Sequence, residues 1–116
     1  MIYLTKLGCD FYNIEISERG TNFLKEVILF INYFKLIKSI KADYFLSYTI
    51  KPNIYGSFAA NINGLKVINT ITGLGKVFIK KGIMKLIISK LYFISLKKSH
   101  RVIFHNKDDL SLFIKL

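Results

Sequence analysis

Residues 44–71, which read YFLSYTIKPNIYGSFAANINGLKVINTI, decide the fold. The run from Tyr44 to Thr49 is short and apolar, and the segment from Lys66 to Ile71 is rich in Val and Ile. Both patterns are typical of strands buried in a parallel sheet. Because a helical pattern separates them, we predict a strand, a crossover helix and a second strand parallel to the first.

The predicted crossover helix has signals at both ends. Pro52 suits the first turn of a helix, where its missing N–H is not needed. Gly64 is a favoured residue just past a helix end. We therefore expect this helix to run from about Asn53 to Asn63.

The sequence before this unit predicts a further strand and helix. Phe11 to Ile16 alternates weakly and leads into the polar loop 17–22. Thr21 or Asn22 in that loop is a suitable cap for the next helix, which apolar residues at helical spacing continue to about Ile40.

The sequence after the unit repeats the alternation. A glycine-containing turn at 72–75 precedes a long helix from Gly82 to about Lys98. A strand from Arg101 to His105 then leads to a last helix that starts at Asn106. Asp108 and Asp109 fall near its positive end and suit its cap better than catalysis.

Strand and helix thus alternate four times, which predicts an α/β fold: a Rossmann-like parallel sheet flanked by helices, with right-handed crossovers. The 116 residues suffice for one domain, 1–116, and 52% hydrophobic residues allow a real core. The lone Cys9 has no partner for an internal disulfide, which indicates a reducing compartment and a small apolar role.

Net charge indicates which classes of partner to expect, and hydropathy indicates where the protein is located. Lys and Arg number 18 against 7 Asp and Glu, a net charge of +11 that favours phosphates, nucleic acid or anionic lipid. No stretch reaches the roughly 20 uncharged apolar residues that a spanning helix needs, and the start does not resemble a signal peptide. We expect a cytoplasmic protein, peripheral at the inner membrane.

Ligands of open parallel sheets bind beyond the carboxyl ends of the strands. After the strand from Tyr44, a helix start with exposed N–H groups and the charge of Lys51 predicts a phosphate site; the alternative is an ordinary loop with a solvated lysine. The candidate residues of this segment are Lys51, Asn53, Tyr55, Gly56 and Ser57.

Three other segments follow strands and face the same edge. Thr72, Gly73 and Gly75 form a turn that permits close approach of a ligand; the alternative is a turn that needs positive φ. Arg19 and Asn106 are further candidates at this opening. His100 and His105 have no metal-ligand spacing and no nucleophile beside them, so we predict no metal site and assign no catalytic residue.

A basic segment of 26 residues without an acid spans 76–101. Apolar residues lie among its charges, a pattern of helices that rest on anionic lipid; the alternative is a core helix with a solvated lysine face. Nucleic acid is not expected, because no nucleic-acid motif is present. The predicted membrane-surface residues are Lys80, Lys81, Lys85, Lys90, Lys97 and Lys98.

Four runs together resemble one protein family. They are Ile16–Asn22, Tyr48–Ser57, Ile71–Gly75 and Val102–Asp109. In this order they are similar to the amino-terminal domain of bacterial family 4 glycosyltransferases, in particular the subgroup that builds capsule, lipopolysaccharide and other glycans on undecaprenyl diphosphate.

The resemblance implies a GT-B fold, in which an amino-terminal domain receives the acceptor and a carboxy-terminal domain binds the nucleotide sugar. It implies retaining, metal-independent transfer without a cofactor. It also implies that this chain is truncated: the paired-glutamate motif and an opening strand of the family are expected outside it, so we expect no transfer by the chain alone. Tyr48 stands where many relatives have a histidine, whose role does not carry over.

Two alternatives to an acceptor domain remain. One is a non-catalytic, basic module that binds membrane surfaces through the segment 76–101. The other is a small nucleotide-binding α/β protein, which is disfavoured because the first predicted strand has no glycine-rich phosphate loop after it.

Overall fold

A computed structural model describes residues 2–17, 22–74 and 82–115. A π-helical turn, Pro52–Gly56, runs directly into one of the helices. The strands are β1 (Tyr44–Tyr48), β2 (Lys66–Ile71) and β3 (Arg101–Phe104). The helices are α1 (Ile2–Lys6), α2 (Phe23–Ile40), α3 (Ser57–Ile62), α4 (Ile83–Leu96) and α5 (Lys107–Ile114).

The described strands form one parallel sheet in the order β1-β2-β3. Phe45 lies beside Val67, and Ser47 lies beside Asn69, so the two strands share one alternation of faces. Val102 of β3 lies beside Asn69 of β2, on the same face of the sheet. The predicted α/β fold, a Rossmann-like parallel sheet flanked by helices, is confirmed.

The strand predicted over Phe11–Ile16 is wrong, since these residues form no strand. The segment lies beside α2, where Ile14 packs against a cluster that includes Leu29 and Tyr33. Its other side chains from Phe11 to Ile16 are exposed, so the weak alternation of the sequence does not reflect a buried sheet face. Helix α1, which the sequence did not predict, is exposed at every residue.

The core lies on one face of the sheet and has two halves. Leu29, Tyr33 and Ile37 are spaced along one stripe of α2 and pack against Ala59 of α3 and Val67 of β2. The second half joins side chains of the π-helical turn, β2, the loop after β2 and α4, namely Ile54, Ile71, Leu74, Tyr92 and Leu96. Phe113 brings α5 to the same side through its contact with Phe104.

The opposite face of the sheet carries apolar side chains that no described helix covers. Tyr44, Leu46 and Tyr48 of β1 are 49%, 57% and 54% exposed, and Ile103 of β3 is 49% exposed. These residues lie on one side because side chains alternate along each strand and the strands are in register. We call them the bare face.

Two helices begin at cap residues that the sequence predicts, and a third begins earlier than predicted. The Asn22 side chain accepts a hydrogen bond from the Leu24 amide at 3.1 Å, and Asn106 accepts one from the Asp109 amide at 2.7 Å. The helix predicted to start near Asn53 starts earlier, with Ile50 and Lys51 already helical. The strand pairing of β1 ends at Tyr48, and Thr49 adopts positive φ, which turns the chain sharply into this helix.

Candidate functional site

The carboxyl ends of the strands bring together parts of the predicted segments. Lys51, which follows β1, reaches Ser17, which precedes α2: its Nζ donates to the Ser17 carbonyl oxygen at 2.5 Å. The turn after β2 meets the helix after β3, where Asp109 accepts a hydrogen bond from the Leu74 amide at 3.3 Å. This edge of the sheet is where open parallel sheets bind ligands.

Lys51 is held by a carboxylate that sequence reasoning missed. Its Nζ lies 2.7 Å from Oε1 of Glu26, and the two side chains are only 20% and 11% exposed. Glu26 occupies the same stripe of α2 as Leu29 and Tyr33, which are buried. That position was the available signal, because an acid on an otherwise buried stripe needs a partner.

The pair with Lys51 uses only one of the two carboxylate oxygens of Glu26. Its Oε2 is buried and has no hydrogen-bond partner among the described residues. The hydroxyl of Tyr55 interacts with the Glu26 carboxylate. Burial first, then the charge of Glu26 and a side-chain hydrogen bond with it, raise the pKa of Tyr55 to about 12. Tyr55 is therefore neutral at physiological pH, and the site presents a lysine N–H, a tyrosine hydroxyl and a buried carboxylate acceptor.

Two cavities adjoin this group, and Glu26 lines both. The first has a volume of about 570 Å³ and a mixed lining whose polar members include Glu15, Lys25 and Lys51. The second, of about 630 Å³, is almost wholly apolar and lies between α2, α3 and α4. Its apolar lining includes Phe23, Val27, Phe30, Phe58, Ile87 and Leu91.

Two predicted binding residues, Asn53 and Ser57, have fully buried side chains. The N–H groups expected to be exposed there are already used: the Asn53 amide donates to Thr49 at 3.1 Å, and the Ser57 amide donates to carbonyl oxygens of the preceding turn. The cause is the early start of the helix at Ile50, which puts both amides inside it. Their part in binding an anion is not supported by this geometry and stays a prediction.

Asn53 and Ser57 belong to a buried polar network centred on Asn69. The Asn69 amide nitrogen donates to Ser47 at 2.8 Å, to Ser57 at 2.6 Å and to Asn53 at 3.2 Å. Asn53 in turn donates to the Thr70 carbonyl oxygen at 3.0 Å. The network joins β1, β2 and the π-helical turn, so it fixes the segment that carries Lys51 and Tyr55.

The remaining candidates are placed as follows. Gly56 is buried against the ring of Phe45, with no room for a Cβ atom. Gly73 has open space around its Cα and no positive φ, so its turn does not require glycine for conformation. Thr72 and Asn106 are exposed at the carboxyl edge of the sheet. Arg19, Gly75, Lys80 and Lys81 lie outside the described residues.

A comparison with protein families decides the relationship. The profile described as glycosyl transferase 4-like matches residues 3–106. The chain belongs to this family. No curated protein matches the sequence significantly. The glycosyl transferase 4-like assignment agrees with the parallel α/β sheet and with the Lys51–Glu26 pair at its carboxyl edge.

In the glycosyl transferase 4-like chain, the predicted membrane-surface lysines that the structure describes lie on and after α4. Lys90, Lys97 and Lys98 are exposed, and Lys85 is half-buried. No helix among the described residues has the length and apolar character needed to cross a membrane. Within the same residues, no three His, Cys, Asp or Glu side chains come together as a metal site would require.

Proposed function

We propose that the chain is the acceptor-binding domain of a glycosyltransferase, which adds a sugar from a nucleotide sugar to a lipid-linked or cell-surface glycan of the polysaccharide, lipopolysaccharide or capsule type. One observation carries the proposal: in a glycosyl transferase 4-like chain, the Lys51–Glu26 pair is assembled at the carboxyl edge of the sheet with polar capacity left over. The nucleotide sugar would be bound by a separate carboxy-terminal domain.

The pair offers both kinds of hydrogen bond that such an acceptor needs. An ammonium group has three N–H donors, and Lys51 uses two of them on Glu26 and Ser17. The third would donate to a phosphate oxygen of the acceptor. Oε2 of Glu26 would accept a hydrogen bond from a sugar hydroxyl, and the Tyr55 hydroxyl, neutral by its raised pKa, would donate or accept one.

Binding of a polyprenyl diphosphate-linked N-acetylhexosamine to the 116-residue chain tests this assignment. Lys51→Ala should weaken binding about 10- to 100-fold, the effect of one hydrogen bond to a charged group. Lys38→Ala, on the exposed last turn of α2, is the matched control and should change nothing. Equal affinities of the wild type and Lys51→Ala, with both folded by circular dichroism, would reject Lys51 as an acceptor ligand.

A second function, binding to a membrane surface, is favoured by the outward side of α4. Leu86 and Ile94 are 55% and 54% exposed there and lie among the basic Lys90 and Lys97. Apolar side chains flanked by lysines suit the interface of an anionic bilayer. As a non-catalytic module or as the docking surface of the acceptor domain, this side of α4 would hold the chain at the inner membrane.

A further inference from the structure

The second cavity beside Glu26, of about 630 Å³, forms an apolar groove between α2 and α4. Val27 and Phe30 belong to the wall on α2, Ile87 belongs to the wall on α4, and Phe58 of α3 lies between the walls. The walls are apolar although water reaches them, since Val27 is 39% and Ile87 is 47% exposed. A concave apolar surface of this volume is typical of a ligand site.

The dimensions of the apolar groove favour a small hydrocarbon over a polypeptide. Its wall on α2 extends from Phe23 to Phe30, two helical turns, which makes it about 10 Å long. Its volume falls within the roughly 300–1,000 Å³ of small-molecule sites, whereas a stable protein interface needs about 800 Å² on each partner. A second copy of this chain is also disfavoured, because each copy carries a net charge of +11.

The apolar groove is continuous with the proposed acceptor site. Among the described residues of its lining, Glu26 and Tyr55 are the ones with ionisable side chains. Glu26 also lines the cavity that contains Lys51, whose Nζ lies 2.7 Å from Oε1 of Glu26 and balances its charge. A ligand with an anionic head and a hydrocarbon tail can therefore occupy both cavities, with its head near Lys51 and its tail in the groove.

Helix α4 joins the apolar groove to the side of the chain that we propose to meet a membrane. Leu91 of the groove wall is followed one turn later by Ile94, which is 54% exposed. The exposed Lys90 and Lys97 flank Ile94 in the sequence. A hydrocarbon chain that leaves an anionic bilayer at this side of α4 would thus meet apolar side chains along its path into the groove.

We propose that the apolar groove binds the first part of the hydrocarbon chain of a phosphate-linked lipid acceptor, and that the protein thereby selects lipid-linked acceptors over free glycans. The phosphate meets Lys51, and the hydrocarbon passes Glu26 and Tyr55 into the groove. Each buried methylene group adds about fourfold to affinity, so the hydrocarbon contributes strongly to recognition. This inference rests on the proposed acceptor function and specifies which part of the acceptor the groove recognises.

The affinities of two soluble ligands for the 116-residue chain test the proposal. Both contain N-acetylglucosamine diphosphate, which is esterified with a methyl group in one ligand and with a farnesyl group in the other. We expect the wild type to bind the farnesyl ligand about 100-fold more tightly, the effect of burying about three methylene groups. Lys51→Ala should weaken the binding of both ligands by the same factor.

Two groove variants locate the hydrocarbon. Ile87→Glu places a charge in the wall on α4, and Val27→Gln places an uncharged polar group in the wall on α2. Both positions are partly exposed, so both variants should fold by circular dichroism. Each should reduce the farnesyl preference to below about 10-fold and leave the affinity for the methyl ligand unchanged. Leu112→Glu on α5, which is 51% exposed and outside the groove lining, should keep the full preference.

The outcomes separate the groove from the acceptor function. Equal wild-type affinities for the two ligands, both weakened by Lys51→Ala, would overturn the groove proposal and leave the acceptor function standing. Binding of neither ligand would reject both proposals. A farnesyl preference that persists in Ile87→Glu and Val27→Gln would place the hydrocarbon elsewhere, for example on the bare face. Farnesol that binds as tightly as the farnesyl ligand would show that the groove is not joined to Lys51, which would also overturn the proposal.

Discussion

At the scale of single residues, Glu26 is the side chain around which the candidate site is organised. A buried carboxylate is stable only with partners, and Lys51 supplies one at 2.7 Å while Oε2 remains without one among the described residues. Sequence reasoning identified Lys51 but not Glu26. The two are 25 positions apart, and only the packing of α2 beside the π-helical turn brings them together.

The pair predicts a measurable change in Tyr55. Glu26→Gln removes a negative charge that opposes tyrosinate formation, so the pKa of Tyr55 should fall from about 12 toward the usual value of 10. Burial remains, and the pKa should therefore stay above 10. The ring resonances of Tyr55 in an NMR titration report the change.

Tyr92 is the internal control for that titration. Burial raises its pKa to about 12, and a hydrogen bond with Asn53 partly offsets the rise. Glu26 is not among the causes, so Glu26→Gln should leave the Tyr92 resonances unchanged. A pKa of Tyr55 that does not move in Glu26→Gln would show that the charge of Glu26 is screened from the Tyr55 hydroxyl.

Asn69 is the centre of the buried polar network. Asn69→Ala should lower the free energy of unfolding by about 2–4 kcal/mol, because Ser47, Asn53 and Ser57 each lose a buried partner. Urea unfolding measures the loss, and Asn13→Ala at an exposed position outside the helices and strands should have no effect. A loss below about 1 kcal/mol would mean that the hydroxyls re-pair among themselves.

At the scale of elements, the π-helical turn depends on close contact with β1. Gly56 has ordinary helical angles, with φ of −63°, so conformation does not demand glycine there. The ring of Phe45 occupies the space that a Cβ would fill. Gly56→Ala should therefore cost about 1–3 kcal/mol of unfolding free energy through overpacking.

A double-mutant cycle checks this cause. Phe45→Leu should restore much of the stability that Gly56→Ala loses, because a smaller side chain makes room for the new methyl group. Gly73→Ala is the matched control, since nothing lies within 4 Å of a Cβ there. Additive losses in the Gly56 and Phe45 variants would place the effect in the backbone instead.

The elements show where the sequence was informative. The strand over Lys66–Ile71 has the predicted bounds because its Val and Ile pattern is local. The strand expected over Phe11–Ile16 did not form, and α1 was not predicted, because both depend on whether an apolar residue finds a surface to cover. The π-helical turn was also not predicted. Its Asn53 is hydrogen-bonded to Asn69 and Thr70 of β2, and a local sequence pattern does not reveal such contacts with another element.

At the scale of the whole molecule, alternating strand and helix patterns predicted the parallel sheet, and the family profile over residues 3–106 agrees with the glycosyltransferase resemblance. The sequence did not show that α2, α3, α4 and α5 gather on one face. Alternation along a strand indicates which residues share a side, but not whether a helix lies over that side. The bare face thus became visible only in the assembled sheet.

Net charge and the outward side of α4 together predict how the whole chain meets membranes. With a charge of +11, it should sediment with liposomes that contain phosphatidylglycerol and not with pure phosphatidylcholine. Raising ionic strength should release it, because each lysine contributes about 1 kcal/mol near an anionic surface and that attraction is screened within a Debye length. Ile94→Glu on α4 should reduce sedimentation, since it removes an exposed apolar side chain and adds a negative charge. Leu112→Glu on α5, equally exposed, should reduce it much less, because no run of lysines flanks that position. Equal sedimentation with both lipids, or equal loss in both variants, would reject α4 as the membrane-binding side.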